Sequence, residues 1–294
     1  MTLAARAVAL AASRPCPRLD RAATAGYSDA AMADHHRHRT KQPRLAYALG
    51  KAFERRLTED HEALHEITGA TGDVVTIPDE YGDSEAWQKH QDLTATDQVG
   101  IILQGLAPGP FGGWLRPDMM FRGAEKDTWH VGEIKVYLDR GGETDPHAFG
   151  QAVTQAAASV LTLREAGYSI SSTVLIVLTD LLGNPRPRWV DCEGEVNAVT
   201  TLRERAPYRG DATTPPPLEH AQHIYSIRCV GRCALADYCR DQLTTAGVRF
   251  PSMGLPAALG ATQAEIDHDR DVPGSWTHTG YTTATPLLPT ETSQ

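Results

Sequence analysis

The order of the secondary-structure signals along this chain predicts an α/β fold, with a mixed β-sheet core flanked by helices. A helical pattern over residues 45–67 is followed by strand-like segments between residues 99 and 137, and then by a second helical pattern over residues 146–167. After these comes Thr173–Leu178, a run of β-branched and apolar residues that is typical of a strand buried on both faces of a sheet. Helix, strands, helix and buried strand in this order indicate one sheet with helices packed against it.

The composition narrows the class of protein. The chain has 294 residues, of which 41% are hydrophobic, enough for a sizeable core. Its 37 acidic residues exceed its 28 basic ones and the formal net charge is −9, so the surface as a whole is not built to bind polyanions. No apolar run approaches the ~18–20 residues of a membrane-spanning helix, and Arg6 interrupts the apolar N-terminal segment. We therefore expect a cytoplasmic protein that does not associate with membranes.

Residues 1–44 are predicted as an N-terminal helix and loop. The helix ends at the turn Pro15–Pro17, and the polar residues 29–43 are predicted as a loop. The histidine-rich run His35–Arg39 lies in that loop. Adjacent histidines do not share one face of a helix, so a solvated loop is favoured over a metal site there.

Residues 45–206 are predicted as the sheet-and-helix core. In its first helix, apolar side chains recur at three- and four-residue steps until Gly69. The predicted strands of the core cover residues 74–77, 99–106, 114–121, 129–137, 173–178 and 185–190, the last as an edge strand, and a helix covers residues 194–206. The polar connection at residues 122–128 is short, which predicts a hairpin between the two strands that it joins.

Two further segments follow the core. Residues 207–261 are predicted as a small lobe that begins with a proline-rich linker at residues 207–217 and contains a cluster of cysteines. Residues 262–294 are rich in Thr, Pro, Gly and Ser, a composition typical of a flexible tail.

An acidic pair beside a lysine is the strongest chemical signal in the core. Asp118 and Glu133 fall on the two strands of the predicted hairpin, so both carboxylates can reach one divalent cation, and the backbone carbonyl of Ile134 is a further ligand candidate. Lys135 shares a strand face with Glu133, where it could serve an attacking water or stabilise developing charge. The alternative is a turn aspartate and an exposed cross-strand charge pair, since such triplets are common.

Three of the five cysteines lie within eleven residues, as Cys229, Cys233 and Cys239. Clustered thiols in a reducing compartment are more often metal ligands than disulfides. With Cys16 as a distant fourth ligand they would suit a [4Fe–4S] cluster, whereas zinc sites usually come as two close pairs. Zinc and free buried thiols stay as alternatives. Cys192 lies between acidic residues and is predicted to be an ordinary side chain.

The segments Pro117-Asp118 and Glu133-Ile134-Lys135 resemble the signature of the PD-(D/E)XK nuclease superfamily. In that superfamily a glutamate or histidine on the preceding helix joins the site, and Glu54 in the segment 50–54 occupies this position. The resemblance implies a restriction-endonuclease-like fold, with a mixed β-sheet core flanked by helices.

The helix after the lysine carries Gln-x3-Tyr in the RecB-like branch of the superfamily. Here Gln155 matches the glutamine, Ser159 stands at the tyrosine position, and Gln151 is a second candidate for the glutamine. The cysteine spacing resembles the AddB-like iron–sulfur nucleases and the nucleases of CRISPR adaptation, in which one cysteine precedes the nuclease core and three follow it. The resemblance extends over residues 10–245 and implies a small C-terminal iron–sulfur lobe.

The resemblance implies an Mg²⁺- or Mn²⁺-dependent DNase of DNA repair, recombination or defence, acting on single strands or ends, with a helicase or a defence complex as partner. It assigns metal binding to Asp118, Glu133 and Ile134, catalysis to these two acids with Glu54, Lys135 and Gln155, and the [4Fe–4S] cluster to Cys16, Cys229, Cys233 and Cys239. The arginines expected near the substrate are Arg55, Arg56, Arg116 and Arg122. Two other functions stay open, a catalytically silent DNA-binding or scaffold subunit and a redox-sensing iron–sulfur protein.

Overall fold

A computed structural model describes residues 5–13, 16–27, 29–36, 44–123, 127–139, 141–205, 218, 223–225, 229, 233–245 and 281–283. The chain forms two compact units. The first consists of Met1–Ser13 with Gln42–Pro207, and the second of Arg14–Lys41 with Tyr208–Gln294. Within the described ranges, no helix is both long enough and apolar enough to cross a bilayer.

The described helices are α1 (Ala5–Ser13), α2 (Pro17–Thr24), α3 (Asp29–His35), α4 (Arg44–Glu59), α5 (His61–Thr68), α6 (Asp83–Thr94), α7 (Pro146–Glu165), α8 (Glu193–Arg205) and α9 (Ala236–Thr245). The described strands are β1 (Asp73–Thr76), β2 (Val99–Leu103), β3 (Ala107–Pro108), β4 (Trp114–Leu115), β5 (Met119–Arg122), β6 (Trp129–Leu138), β7 (Thr173–Thr179), β8 (Pro185–Asp191), β9 (His223–Tyr225) and β10 (Tyr281–Thr283).

Six strands of the first unit form one mixed sheet in the order β1-β2-β5-β6-β7-β8. The pairs β1–β2 and β6–β7 are parallel, and the other three neighbouring pairs are antiparallel. Strand β7 is buried along nearly its whole length, whereas β8 alternates between half-buried and exposed residues, as an edge strand does. The predicted α/β class, with a mixed sheet flanked by helices, is confirmed.

Helices α4 and α5 pack on the sheet through one continuous apolar cluster. Its buried members are Phe53, Leu57, Leu64, Ala70, Ile101, Leu103, Met119, Phe121, Ile134, Leu175 and Val177. Helix α7 also packs on β6 and β7, and it contacts α1 and α8. Both helix groups therefore fix the position of β6, the strand that carries Glu133 and Lys135.

Two of the predicted elements are divided in the structure. The single helix predicted over residues 45–67 is wrong, because the Asp60 side chain accepts the N–H of Ala63 at 3.0 Å and starts α5 as a separate helix. The single strand predicted over residues 114–121 is also wrong. It is interrupted between β4 and β5, where Pro117 has no N–H to give to a sheet ladder.

The second unit contains α2, α3, α9 and the antiparallel pair β9–β10. The loop predicted over residues 29–43 is wrong for Asp29–His35, which form α3 with Met32 and Ala33 fully buried. Burial of these two apolar residues stabilises the helix. The polar residues around them had led to the prediction of a loop. The predicted linker at residues 207–217 lies outside the described residues, as does the predicted tail apart from Tyr281–Thr283.

Candidate functional site

The predicted hairpin of β5 and β6 positions the acidic pair. The two strands are antiparallel, and their ladder ends at the pair formed by Met119 and Gly132. One residue beyond that pair, the Oδ2 atom of Asp118 accepts the backbone N–H of Ile134 at 2.7 Å. The aspartate side chain thus replaces the missing strand partner, and this hydrogen bond fixes the carboxylate at the edge of the ladder.

Lys135 contacts both acids of the pair. Its Nζ atom donates to Glu133 Oε1 at 2.5 Å and lies 3.5 Å from Asp118 Oδ2. Strand alternation explains this arrangement, because Glu133 and Lys135 share one face of β6 while Ile134 between them joins the apolar cluster. The sequence therefore brings two carboxylates and one ammonium group together through local geometry alone.

Burial makes the charge of this site costly. The pKa of Glu133 is raised to about 8, first by burial and then by the Asp118 charge, against the opposing effect of Lys135. Burial by itself would lower the pKa of Lys135, but the charges of Glu133 and Asp118 outweigh it and raise that pKa above its usual range. One ammonium group does not fully balance two carboxylates, so a bound cation would stabilise the ionised form of Glu133.

The donor atoms present fit a magnesium or manganese ion. Within the described part of the chain, Asp118 Oδ1 and Glu133 Oε2 make no hydrogen bond or ion pair, so each acid has an oxygen available as a ligand. Mg²⁺ is usually held by one or two carboxylates together with water and substrate oxygens. Across the described residues no three His, Cys, Asp or Glu side chains are grouped as a metal site, so the structure gathers neither Glu54 with the acidic pair nor three of the predicted cluster cysteines around one ion.

Glu54 lies on α4 and is linked to the pair through a residue that the sequence did not indicate. Its Oε1 accepts from Gln104 Nε2 at 2.9 Å, and its Oε2 accepts from Lys51 Nζ at 3.0 Å. Gln104 in turn donates its backbone N–H to the carbonyl of Asp118 at 3.0 Å. The charge of Glu54 contributes to the raised pKa of Glu133, which places Glu54 within electrostatic reach of the site.

Gln155 lies on α7, the helix that packs on β6, and its Oε1 atom is buried without a hydrogen-bond partner among the described residues. No hydrogen bond between described residues joins it to Asp118, Glu133 or Lys135. Ser159, at the position where the resembled branch carries tyrosine, is buried on the same helix. Because this buried amide oxygen lacks a hydrogen bond, Gln155 can accept one more from a donor that enters the site.

The four arginines expected near the substrate differ in their surroundings. Arg122 donates to the carbonyls of Thr94, Thr96 and Val99, so it ties the end of α6 to the sheet. Arg56 donates to Gly183 O, and Arg116 pairs with Asp79 at 2.9 Å. Arg55 lines a cavity beside Glu54.

The four predicted cluster cysteines belong to the second unit. Cys16 precedes α2, Cys239 lies in α9, and Cys233 donates its N–H to the carbonyl of Cys229 at 2.9 Å. Burial raises the pKa of Cys239 to about 12, with further raising effects of Cys16 and Cys229, so these thiols lie within electrostatic range of one another. No disulfide joins any of the five cysteines, all of which lie among the described residues, and Cys192 belongs to the first unit.

A buried arginine contacts the cysteine group. Arg18 is 3% exposed, its Nη1 donates to Cys239 Sγ at 3.3 Å, and its Nη2 donates to Gln242 Oε1. Its guanidinium carbon also lies 5.2 Å from the centre of the Tyr238 ring. The positive charge of Arg18 lowers the pKa of Cys239 and so acts towards the thiolate that metal ligation requires, but burial has the larger, opposite effect.

Sequence reasoning missed Gln104 and Arg18. The only local signal for Gln104 is a polar residue between an apolar strand and Gly105. Arg18 is two residues from Cys16, but its contact with Cys239 spans 221 positions and no local pattern reports it.

Comparison with known proteins adds no relative. No protein-family model matches the chain, and no curated protein matches it.

Proposed function

We propose that this protein is a metal-dependent nuclease that hydrolyses phosphodiester bonds in DNA. The observation that carries the proposal is the contact of one ammonium group, Lys135, with two carboxylates from neighbouring elements, Asp118 and Glu133. Together with the resemblance of these segments to the PD-(D/E)XK signature, it favours the restriction-endonuclease-like version of the mixed α/β fold and the RecB/AddB-like branch.

In this proposal each side chain has a distinct task. Asp118 and Glu133 would hold Mg²⁺ or Mn²⁺, which when bound polarises the phosphate and lowers the pKa of a coordinated water. Because the raised pKa of Lys135 keeps it protonated, it acts as a fixed positive charge and hydrogen-bond donor to the phosphate or to the attacking water, and not as a general base. Asp118 is held in place by the Ile134 N–H, so little reorganisation is needed on binding.

Substitution of Asp118 by Asn tests the proposal. The amide oxygen of Asn can still accept the Ile134 N–H, whereas the charge is lost. We expect cleavage of single- or double-stranded DNA with Mg²⁺ or Mn²⁺ to fall by about 100-fold or more, and EDTA to stop cleavage by the wild type. Asp191→Asn is the matched control, because Asp191 Oδ1 also accepts a backbone N–H, from Glu193, on the edge strand β8, two strands from β6.

The outcome of this assay also separates the alternatives. A wild type that binds DNA tightly but does not cut it with either cation would contradict the nuclease proposal and favour a scaffold subunit. Equal rates for the Asp118→Asn and Asp191→Asn variants would show that cutting, if present, uses another site.

We also propose that Cys16, Cys229, Cys233 and Cys239 hold a [4Fe–4S] cluster. All four donors are thiols of one compact unit, and Arg18 supplies a positive charge to one of their sulfurs. Such a cluster would act as a structural crosslink between distant parts of the chain.

Cysteine substitutions test the cluster proposal. In protein purified without oxygen we expect a brown colour, with iron and sulfide in equal amounts, and we expect Cys16→Ala to remove all three. Cys192→Ala is the control, because this buried thiol lies in the first unit and should leave the iron content unchanged. Colourless wild-type protein that contains zinc would favour the zinc alternative.

A further inference from the structure

Gln104 has an unusual backbone conformation for its residue type. Its φ angle is +53°, and no other non-glycine residue in the described ranges has a positive φ. Side chains with a Cβ atom are disfavoured in this left-handed region, which glycine adopts readily. A glutamine at such a position suggests that its side chain supplies something that glycine would not.

The side chain of Gln104 connects two parts of the candidate active site. Its amide Nε2 donates to Glu54 Oε1, while its backbone N–H donates to the carbonyl of Asp118. Gln104 directly follows β2, and its two hydrogen bonds set the distance between the Glu54 carboxylate on α4 and Asp118, which directly precedes β5. The residue with the left-handed conformation is thus the one that makes both hydrogen bonds.

The other contact of Glu54 is weaker. Lys51 reaches Glu54 Oε2 from the preceding turn of the same helix, and its side chain is 60% exposed. Such solvated pairs within one helix contribute little to the placement of a side chain. The half-buried amide of Gln104 is therefore the main determinant of where the Glu54 carboxylate lies.

The contact between Gln104 and Glu54 lies on the wall of a cavity of about 530 Å³. Lys51, Arg55, Thr76 and Asp79 also line this cavity, so its surface is polar and mixed in charge. A carboxylate oxygen held at this wall can meet water, a hydrated cation or a substrate phosphate that enters the cavity.

We propose that Gln104 is a positioning residue, which orients Glu54 so that this carboxylate can accept a hydrogen bond from a water molecule of the cation held by Asp118 and Glu133. The inference rests on the proposed nuclease function and deepens it. Gln104 itself touches neither the cation nor the DNA, and its effect passes through Glu54. The alternative is that Gln104 only closes the turn after β2.

Substitutions at Gln104 distinguish the two roles. Gln104→Gly keeps the turn and relieves the disfavoured conformation, so a merely structural role predicts unchanged or higher thermal stability with unchanged activity. The positioning role predicts that the Mn²⁺ concentration for half-maximal DNA cleavage rises about tenfold in the same variant, as is typical when a residue supporting a ligand is lost. Gln104→Glu has the same length but places a second carboxylate against Glu54, and it should raise that Mn²⁺ concentration at least as much.

A double-mutant cycle with Glu54→Gln makes the test specific. If Gln104 acts through Glu54, the variant with both Glu54→Gln and Gln104→Gly should require no more Mn²⁺ than Glu54→Gln alone. Fully additive effects in the cycle, or a Gln104→Gly variant with the wild-type Mn²⁺ dependence, would overturn the inference.

Direct Mn²⁺ binding, measured by electron paramagnetic resonance without DNA, separates this inference from the proposed function. Wild-type protein that binds Mn²⁺ but cuts no DNA, with binding weakened non-additively by the two substitutions, would contradict the nuclease proposal and support the positioning role. Cleavage by the wild type with unchanged Mn²⁺ binding in Gln104→Gly would overturn the positioning role alone.

Discussion

Glu133 and His90 are two buried ionisable residues of the first unit, and their surroundings differ in kind. Burial raises the pKa of Glu133 to about 8, with a further raising effect of the Asp118 charge, and Lys135 contacts both acids. Burial alone lowers the pKa of His90 to about 4. Its ring stacks on Trp87 at 5.2 Å and meets Tyr168 edge-on at 5.7 Å.

The difference shows that a displaced pKa does not by itself mark a site of chemistry. His90 Nδ1 accepts the N–H of Leu106 at 3.2 Å, and its Nε2 is buried without a partner among the described residues. The neutral ring thus supports the loop that follows Gln104. Glu133, in contrast, has an opposite charge at hydrogen-bond distance and a like charge nearby, which is the combination that a cation can exploit.

The largest expected effect lies on the Glu133 side of the comparison. Lys135→Ala should lower the rate of DNA cleavage by about 10²–10³-fold, since it removes the fixed positive charge beside the two carboxylates.

The control for this prediction is Lys89→Ala, which removes an exposed lysine of α6 and changes the net charge by the same amount. Circular dichroism of both variants should match the wild type. Equal cleavage rates in the two variants would exclude Lys135 from the reaction and leave it as a partner of a structural acidic pair.

The second prediction concerns His90 and the way in which the stability of the protein depends on pH. An unfolded chain binds a proton at His90 near pH ~6.5, but the folded protein does so only near pH 4. In this window the unfolded state binds more protons, so its stabilisation relative to the folded state grows as the pH falls. His90 should therefore cost about 3 kcal/mol of unfolding free energy between pH 6.5 and 4.

Urea unfolding of the wild type and of His90→Asn at several pH values measures this contribution. Asn keeps an acceptor for the Leu106 N–H but does not titrate, and all other titrating groups are common to both proteins. As the pH falls from 6.5 to 4, the wild type should lose about 3 kcal/mol of unfolding free energy relative to His90→Asn. A difference that stays constant over this range would show that His90 titrates normally in the folded state.

The sequence predicted the parts of the Glu133 site that depend on short-range geometry. Glu133 and Lys135 share a face because side chains alternate along a strand, and the short connection before Trp129 predicted the hairpin that brings Asp118 alongside. The division of the predicted strand at Pro117 also had a local signal, the missing N–H, although its consequence for the side chain of Asp118 became visible only in the structure.

Contacts between distant segments could not be predicted in this way. Gln104 meets Glu54 across 50 positions and His90 meets Leu106 across a helix end and a strand. These pairings depend on how α4 and α6 pack on the sheet, which a single sequence does not specify through periodicity. The sequence therefore named the acids of the candidate site but not the residues that hold them in place.

The smallest expected effect returns to Glu133. In protein freed of divalent cations, Glu133→Gln should change the unfolding free energy at pH 4.5 by less than about 1 kcal/mol, because the raised pKa keeps the carboxyl neutral in the folded protein and an amide of the same shape can still accept from Lys135. As the pH rises from 4.5 to 8 the wild type should become the less stable of the two, since the unfolded chain loses the Glu133 proton near its ordinary pKa of ~4.3 whereas the folded protein keeps it up to about pH 8. Added Mn²⁺ should stabilise the wild type against thermal unfolding and have little effect on Glu133→Gln. Equal Mn²⁺ stabilisation of both proteins would mean that the cation binds elsewhere. The displaced pKa of Glu133 would then mark a site of chemistry no more than that of His90 does.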